Sequence, residues 1–249
     1  MTQSKKGYIS KIETMGMVDG PGVRTIVFLS GCPLRCLYCH NPDFWQLKVN
    51  SEEMDVETLV NRLKRLKPYY GDKGGVTACG GEPLFQSPFL IELFKRCKEE
   101  GINTCLDTSG FGNPKYFDEV LTYTDTILYD IKAIEKDKYQ KLTSVDMSIT
   151  EKFLKKAIEM KVPIWSRTVI IPGYNDTYEH MDNLAEYISS IPTIEKIDLL
   201  PYHTLGVNKY KEINMQYPLE GVPSMDAQKA REMNEYLNKR VQEIKSIKI

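Results

Sequence analysis

Val23-Arg-Thr-Ile-Val-Phe-Leu29-Ser-Gly31-Cys32-Pro-Leu-Arg-Cys36-Leu-Tyr-Cys39-His40 is an apolar, β-branched run that breaks into a short loop carrying three cysteines. The run Val23–Leu29 reads as a buried strand, since it is apolar almost throughout instead of alternating. Further runs of the same kind lie at Gly75–Cys79, Asn103–Asp107, Thr126–Asp130, Ile164–Ile171 and Lys196–Pro201, with helical patterns between them. Val56, Leu59, Val60, Leu63 and Leu66 repeat on one helical face behind Asp55 as cap, with Lys64, Arg65 and Lys67 at the far end. A stripe of Ala230, Met233, Leu237, Val241 and Ile244 behind Ser224 predicts a closing helix over about 225–245. Strand and helix alternating in this way imply an α/β fold of parallel strands joined by right-handed crossovers, either an open sheet or a barrel.

The residues that break pattern all follow strands. Cys32–His40 follows the first, Gly80-Gly-Glu-Pro83 the second, Asp107-Thr-Ser-Gly110 the third, Asp130-Ile-Lys132 the fourth, Pro172-Gly173 the fifth and Pro201-Tyr-His203 the sixth. In parallel α/β folds the carboxyl ends of strands share one rim, where ligands bind. Residues spread from 32 to 203 are therefore expected to line a single site. No linker or fixed-period repeat divides the chain, so one domain over 1–249 is expected, with its core at about 8–203.

Composition narrows the class. The chain has 249 residues, with 33 Lys+Arg against 34 Asp+Glu and a net charge of −1, which argues against a nucleic-acid or membrane footprint. An apolar share of 41% with 27% charged residues is that of a folded protein with a real core. The first residues lack the apolar stretch of a secretory signal, and no run approaches the roughly 18 apolar residues of a membrane helix. Six cysteines in that setting suggest reduced thiols in a cytoplasmic protein, used for metal or catalysis.

Half of those cysteines fall within the eight residues of Cys32-xxx-Cys36-xx-Cys39. A structural zinc site wants four Cys or His ligands, and adjacent Cys39 and His40 rarely aim at one tetrahedral centre. Cys36-Leu-Tyr-Cys39-His40 also matches a c-type haem attachment pattern, and Cys36 with Cys39 a dithiol pattern. Haem attachment would ask for an export signal, and a dithiol leaves Cys32 without a role. An iron–sulfur cluster on three thiolates fits best, leaving one iron of four open to a cofactor or substrate.

The cysteine spacing after a first strand resembles that of the radical S-adenosylmethionine (SAM) enzymes. Asp19-Gly-Pro-Gly22, Tyr38-Cys-His-Asn41, Thr77-Ala-Cys-Gly-Gly-Glu-Pro83, Cys105-Leu-Asp-Thr108, Asp130-Ile-Lys132 and Leu200-Pro-Tyr-His203 further resemble motifs of the glycyl-radical activases within that group. Only about 40 residues separate Cys39 from Gly80, with no cysteine before Cys79, which resembles the single-cluster activases rather than those with an inserted cluster domain. The resemblance implies a partial (β/α)6 barrel with its site at the C-terminal rim. It implies that Cys32, Cys36 and Cys39 hold one 4Fe-4S cluster, that SAM is the cofactor, and that no further catalytic side chain is needed. SAM contacts would come from Tyr38, Cys39, His40, Gly80, Gly81, Asp130, Ile131, Lys132, Arg167 and His203. A monovalent cation would sit on oxygens of Asp107, Thr108, Leu128 and Asp130, and Asp19 would touch the partner. One-electron reduction of SAM would give a 5′-deoxyadenosyl radical that takes an α-hydrogen from a glycine of pyruvate formate-lyase. Flavodoxin or ferredoxin would be the reductant, and the activase a monomer.

Each motif also has a plain structural reading. Gly80–Pro83 and Asp19–Gly22 are turn sequences, and Asp130 with Lys132 on one strand face makes an ion pair. His203 reads as a satisfied buried histidine, and Cys79, Cys97 and Cys105 as small core residues. A non-catalytic iron–sulfur or thiol redox carrier, and an activase of another glycyl-radical enzyme, remain open readings of the same residues.

Overall fold

The computed structural model describes residues 4–247. Its strands are β1 (Lys6–Gly16), β2 (Arg24–Leu29), β3 (Glu52–Asp55), β4 (Gly75–Gly80), β5 (Asn103–Thr108), β6 (Thr126–Asp130), β7 (Ile164–Ile170) and β8 (Ile194–Pro201). They form one sheet in the order β3-β1-β2-β4-β5-β6-β7-β8. From β2 to β8 the six strands β2, β4, β5, β6, β7 and β8 are parallel neighbours. Between them run the helices α1 (Val56–Leu66), α2 (Ser87–Glu99), α3 (Phe117–Thr122), α4 (Lys136–Thr143), α5 (Ser148–Glu159) and α6 (Tyr178–Ser189), with α7 (Val207–Glu212) and α8 (Ala227–Ile247) after the last strand.

The six parallel strands are those the apolar runs predict, with ends shifted by up to two residues. Two strands went unpredicted. β1 and β3 pair antiparallel with each other and β1 with β2, adding an edge to the parallel sheet. The burial of β1 alternates only in its first half, because its second half lies exposed or half-buried at the edge, so no strand period marks it. β8 pairs only with β7, so the sheet curves without closing.

Both faces of β2, β4 and β6 are covered, which is why their sequences are near-continuous runs, whereas β7 alternates and β8 is partly exposed. In α1 the Asp55 carboxylate accepts from Thr58 N at 2.9 Å, and Val56, Leu59, Val60 and Leu63 pack inward. α8 begins two residues later than expected and its cap differs. Asp226, not Ser224, accepts from Lys229 N at 2.7 Å, since a carboxylate three residues upstream reaches the free amides of the first turn. α8 rests on α6 and β8, with Asn234 Oδ1 accepting from Leu199 N at 3.0 Å. Leu63 is wholly enclosed, so Leu63→Ala is expected to cost about 2–5 kcal/mol in equilibrium urea unfolding without affecting residues at the rim. A loss under about 1 kcal/mol would show that the α1 contact is not part of the core.

Candidate active site

A cavity of about 270 Å³ opens at the carboxyl ends of the parallel strands. Cys32, Cys36 and Cys39 line it together with Tyr38, His40, Gly80, Gly81, Asp107, Thr108, Asp130, Lys132 and Arg167, and Asp19 reaches it from the β1–β2 loop. Of the other expected residues, Leu128 and Ile131 are buried beside the cavity without lining it. His203 stacks on His40, with ring centroids 3.9 Å apart, and its carbonyl meets His40 Nε2 at 3.0 Å.

The cysteine loop is held by its backbone. Cys32 N donates to Trp45 O (3.1 Å), Arg35 N to Thr143 O (2.8 Å), Leu37 N to Leu142 O (2.9 Å) and Cys39 N to Cys36 O (3.0 Å). Arg35 Nη1 donates to the carbonyls of Cys32 and Leu34 at 2.7 and 2.8 Å, over the Trp45 ring. All three cysteines are unbridged and half-buried. Burial pushes each thiol up, Cys36 to about 12; Cys36 and Cys39 raise Cys32 further, and Cys39 raises Cys36. Bare thiolates are thus disfavoured there, whereas bound iron would reverse the preference and draw the protons off. Among the described residues no three His, Cys, Asp or Glu side chains converge on a point that would hold one metal ion. Three thiols on one cavity wall but not about one point suit a multi-iron cluster, which spreads its sulfur ligands farther apart than a tetrahedral ion.

The glycines let the second strand end approach the first. Gly81 N donates to Leu29 O at 2.8 Å and Glu82 N to Gly31 O at 2.9 Å, and a Cβ on Gly81 would lie 2.4 Å from Gly31 O. Gly80 adopts φ +116°, which glycine tolerates far better than any other residue. Glu82, read from sequence only as part of a turn, has a structural task. Its carboxylate is buried and accepts from Leu84 N (3.1 Å), Thr108 Oγ1 (2.5 Å), Ser109 N (2.9 Å) and Ser109 Oγ (2.6 Å). Burial pushes Glu82 up, and these four donors pull it back. The latch ties the rim loops after β4 and β5 together.

Two half-buried ion pairs line the same cavity. Lys132 Nζ donates to Asp130 Oδ2 at 2.7 Å and lies 5.4 Å from the centre of the Tyr38 ring. Burial pulls Lys132 down, but Asp130, Tyr38 and Cys36 outweigh it, so the ammonium stays charged. Arg167 Nη1 donates to Asp107 Oδ2 at 2.9 Å. Burial raises Asp107 to about 7 against the pull of Arg167, with Asp130 pushing the same way.

Helix α7 supplies contacts that no local pattern announced. Tyr210 OH donates to Cys39 O at 3.2 Å, and Lys209 Nζ to Asn41 Oδ1 at 2.8 Å and Asp43 Oδ1 at 3.0 Å. Cys97 and Cys105 are core residues, and Cys79 lines the cavity wall without joining the other three.

A family model described as the radical SAM superfamily matches residues 26–188. The chain is 46% identical over 240 residues to the pyruvate formate-lyase-activating enzyme of Staphylococcus epidermidis, covering 94% of this chain and 96% of that one. The enzyme of that name from Clostridium pasteurianum is 46% identical over 232 residues, covering 93% and 97%. Among solved structures, a domain of pyruvate-formate lyase-activating enzyme from Bacteroides vulgatus superposes with a TM-score of 0.54 at 28% identity, over 67% of this chain and 94% of that one. Streptococcus suis SuiB bound to S-adenosylmethionine shares the fold, with a TM-score of 0.61 at 18% identity over 86% of this chain and 43% of that one.

Proposed function

The chain belongs to the radical SAM superfamily and, within it, to the pyruvate formate-lyase-activating enzymes, and from that premise we propose how its cavity works. The protein substrate is pyruvate formate-lyase, on which the enzyme generates a glycyl radical. The carrying observation is that three thiols, two closely approached glycines and two half-buried cations line one cavity at the rim. A redox carrier would have no task for the last four.

The residues present fit a 4Fe-4S cluster and SAM. Soft thiolates from Cys32, Cys36 and Cys39 suit iron, and the buried Nδ1 of His203 has no hydrogen-bond partner within the protein, which suits a polar ligand beside it. When bound, the cluster and SAM supply reductive cleavage and hydrogen-atom abstraction. The protein's part is orientation. The backbone at Gly80 and Gly81 would meet the methionine amino group, while Lys132 and Arg167 would hold its carboxylate. Asp130 would accept from the ribose hydroxyls, with Ile131 beside it. Tyr38, Cys39, His40 and His203 would contact the adenosyl part. Asp107 and Asp130 each keep one carboxylate oxygen outside their ion pairs, and with Thr108 and the Leu128 carbonyl these offer hard oxygens to a monovalent cation. Asp19 faces the incoming glycine segment. The chain acts as one domain, a cytoplasmic monomer reduced by flavodoxin or ferredoxin. No helix among the described residues is long and apolar enough to cross a membrane.

The test is anaerobic reconstitution, reduction, and incubation with SAM and pyruvate formate-lyase, followed by electron paramagnetic resonance. A glycyl doublet on the lyase, dependent on SAM and absent when its acceptor glycine is replaced by alanine, is expected. SAM cleavage without any radical on this lyase, together with a radical on another glycyl-radical enzyme, would move the assignment to that enzyme.

A further inference from the structure

Among the described residues Arg24 is the bulkiest fully enclosed side chain, at 0% exposure, and it has no carboxylate within ion-pair distance. Its guanidinium is held by neutral oxygens alone. Nε donates to Thr77 Oγ1 (2.7 Å), Nη1 to the carbonyls of Pro21 (2.7 Å) and Lys73 (3.2 Å), and Nη2 to Val76 O (2.8 Å), Asn103 Oδ1 (2.9 Å) and Asn103 O (3.3 Å). A lysine has three donors on one atom and cannot span this set, whereas the planar fork of arginine can. Burying a charge without a counter-charge is costly, and an apolar side chain would fill the space more cheaply. The arrangement therefore needs a reason beyond packing.

That reason lies in what the guanidinium ties down. Pro21 belongs to the loop between β1 and β2, and Thr77 Oγ1, which accepts from Arg24, donates in turn to Asp19 O at 2.6 Å. Two carbonyls of Asp19–Gly22 thus end in one hydrogen-bond net on β4 and β5. Gly20 and Gly22 have φ +121° and +71°; a Cβ on Gly20 would lie 3.0 Å from Arg24 Cδ, and one on Gly22 would lie 2.5 Å from Gly74 N. The loop is pressed against the barrel, yet its neighbours Met17 and Val18 stand 76% and 81% exposed, and the Asp19 side chain lines the active-site cavity. It lies at the amino ends of β2 and β4, with Gly22 against Gly74, and Asp19 carries it to the cavity wall.

We propose that Arg24 is a positioning residue for the protein substrate: it fixes the Asp19–Gly22 loop as one lip of the entrance through which a glycine-bearing polypeptide segment reaches the cavity, with Met17 and Val18 as its apolar contacts. This rests on the reading that the hydrogen donor is a polypeptide glycine. It separates two properties that the enzyme would otherwise lose together. SAM binding and cleavage depend on the cysteine loop, Gly81 and Lys132, none of which touches Arg24. Capture of the partner depends on the lip.

The experiment compares wild type, Arg24→Gln and Thr77→Val by amide hydrogen exchange of the whole chain and by steady-state kinetics with pyruvate formate-lyase. In Arg24→Gln, exchange at residues 17–23 is expected to rise about tenfold, with residues 32–40 unchanged. KM for the lyase should rise about tenfold, while 5′-deoxyadenosine formation without lyase stays within about twofold. Thr77→Val, which removes the bridge between Arg24 and Asp19 but keeps the volume, should shift both in the same direction by about threefold. Unchanged exchange in the loop, or an equal fall in cluster content, SAM cleavage and lyase activation, would overturn the proposal, the latter showing a merely structural role. If Arg24→Gln does not fold, Thr77→Val decides by the same criteria. If wild type forms no radical on the lyase, the functional reading fails, while the exchange result still decides whether the strap holds the loop.

Discussion

Cys36→Ser is expected to bring iron after anaerobic reconstitution from about four atoms per chain to below about one, and SAM cleavage down by about a thousandfold or more. On the proposed ligand set the cluster would have three protein ligands, so a single substitution would remove a third of its anchorage and present a hard hydroxyl to iron. The fold should not follow. The cysteine loop hangs on backbone hydrogen bonds, from Arg35 N to Thr143 O and from Leu37 N to Leu142 O, which a serine leaves in place. Unfolding of the iron-free variant in urea is therefore expected to match the iron-free wild type within about 1 kcal/mol. Cys97→Ser is the opposing control. That thiol is fully buried in the core, away from the cavity, so a hydroxyl there costs about 1–3 kcal/mol of stability while iron content is retained. Normal cluster content in Cys36→Ser would remove Cys36 from the ligand set.

What the sequence disclosed and what it withheld divide along a physical line. The central parallel strands were legible because they are covered on both faces, and a continuous run such as Thr25–Leu29 has no other stable place. The cysteine loop, Gly80–Gly81 and Asp130–Lys132 were legible because their chemistry sits on adjacent residues. β1 and β3 were not, since an edge strand with a half-exposed second half carries no clean period. Nor were contacts made across the chain. Tyr210 reaches Cys39, and His203 reaches His40, over separations of 171 and 163 residues. Glu82 was visible but its task was not, because the donors that latch it, Thr108 and Ser109, come from the next strand end. Arg24 gave the least warning: it lies inside an apolar strand with no motif to mark it, and only the fold shows six oxygens converging on it.

Adding one methyl group at Gly81 is expected to weaken SAM binding by about a hundredfold or more, for a reason that separates closeness of approach from backbone strain. The new Cβ would lie 2.4 Å from Gly31 O and 3.2 Å from Cys32 Cβ. The first is a backbone atom just past the β2–β4 pairing, held by Glu82 N and by the bond from Gly31 N to Phe44 O, so no side-chain rotation relieves the overlap. The rim after β4 must move away from the loop after β2, breaking the bonds from Gly81 N to Leu29 O and from Glu82 N to Gly31 O, and shifting Cys32 relative to the backbone proposed to hold the cofactor's amino group. Overpacking of this kind costs about 1–3 kcal/mol in the cofactor-free protein. A lost cofactor position adds to that, since a displacement near 1 Å at a positioned ligand is worth about a hundredfold. Gly173→Ala supplies the contrast. Gly173 has φ +77° but nothing within 4 Å of where a Cβ would stand, so alanine there meets strain alone, about 1 kcal/mol, and leaves the rim untouched. Titration calorimetry of SAM into the reconstituted variants, beside their unfolding curves, reads both effects. Gly81→Ala binding SAM as wild type does would mean that the cofactor's amino end is held elsewhere, and the assignment of Gly80 and Gly81 would fall with it.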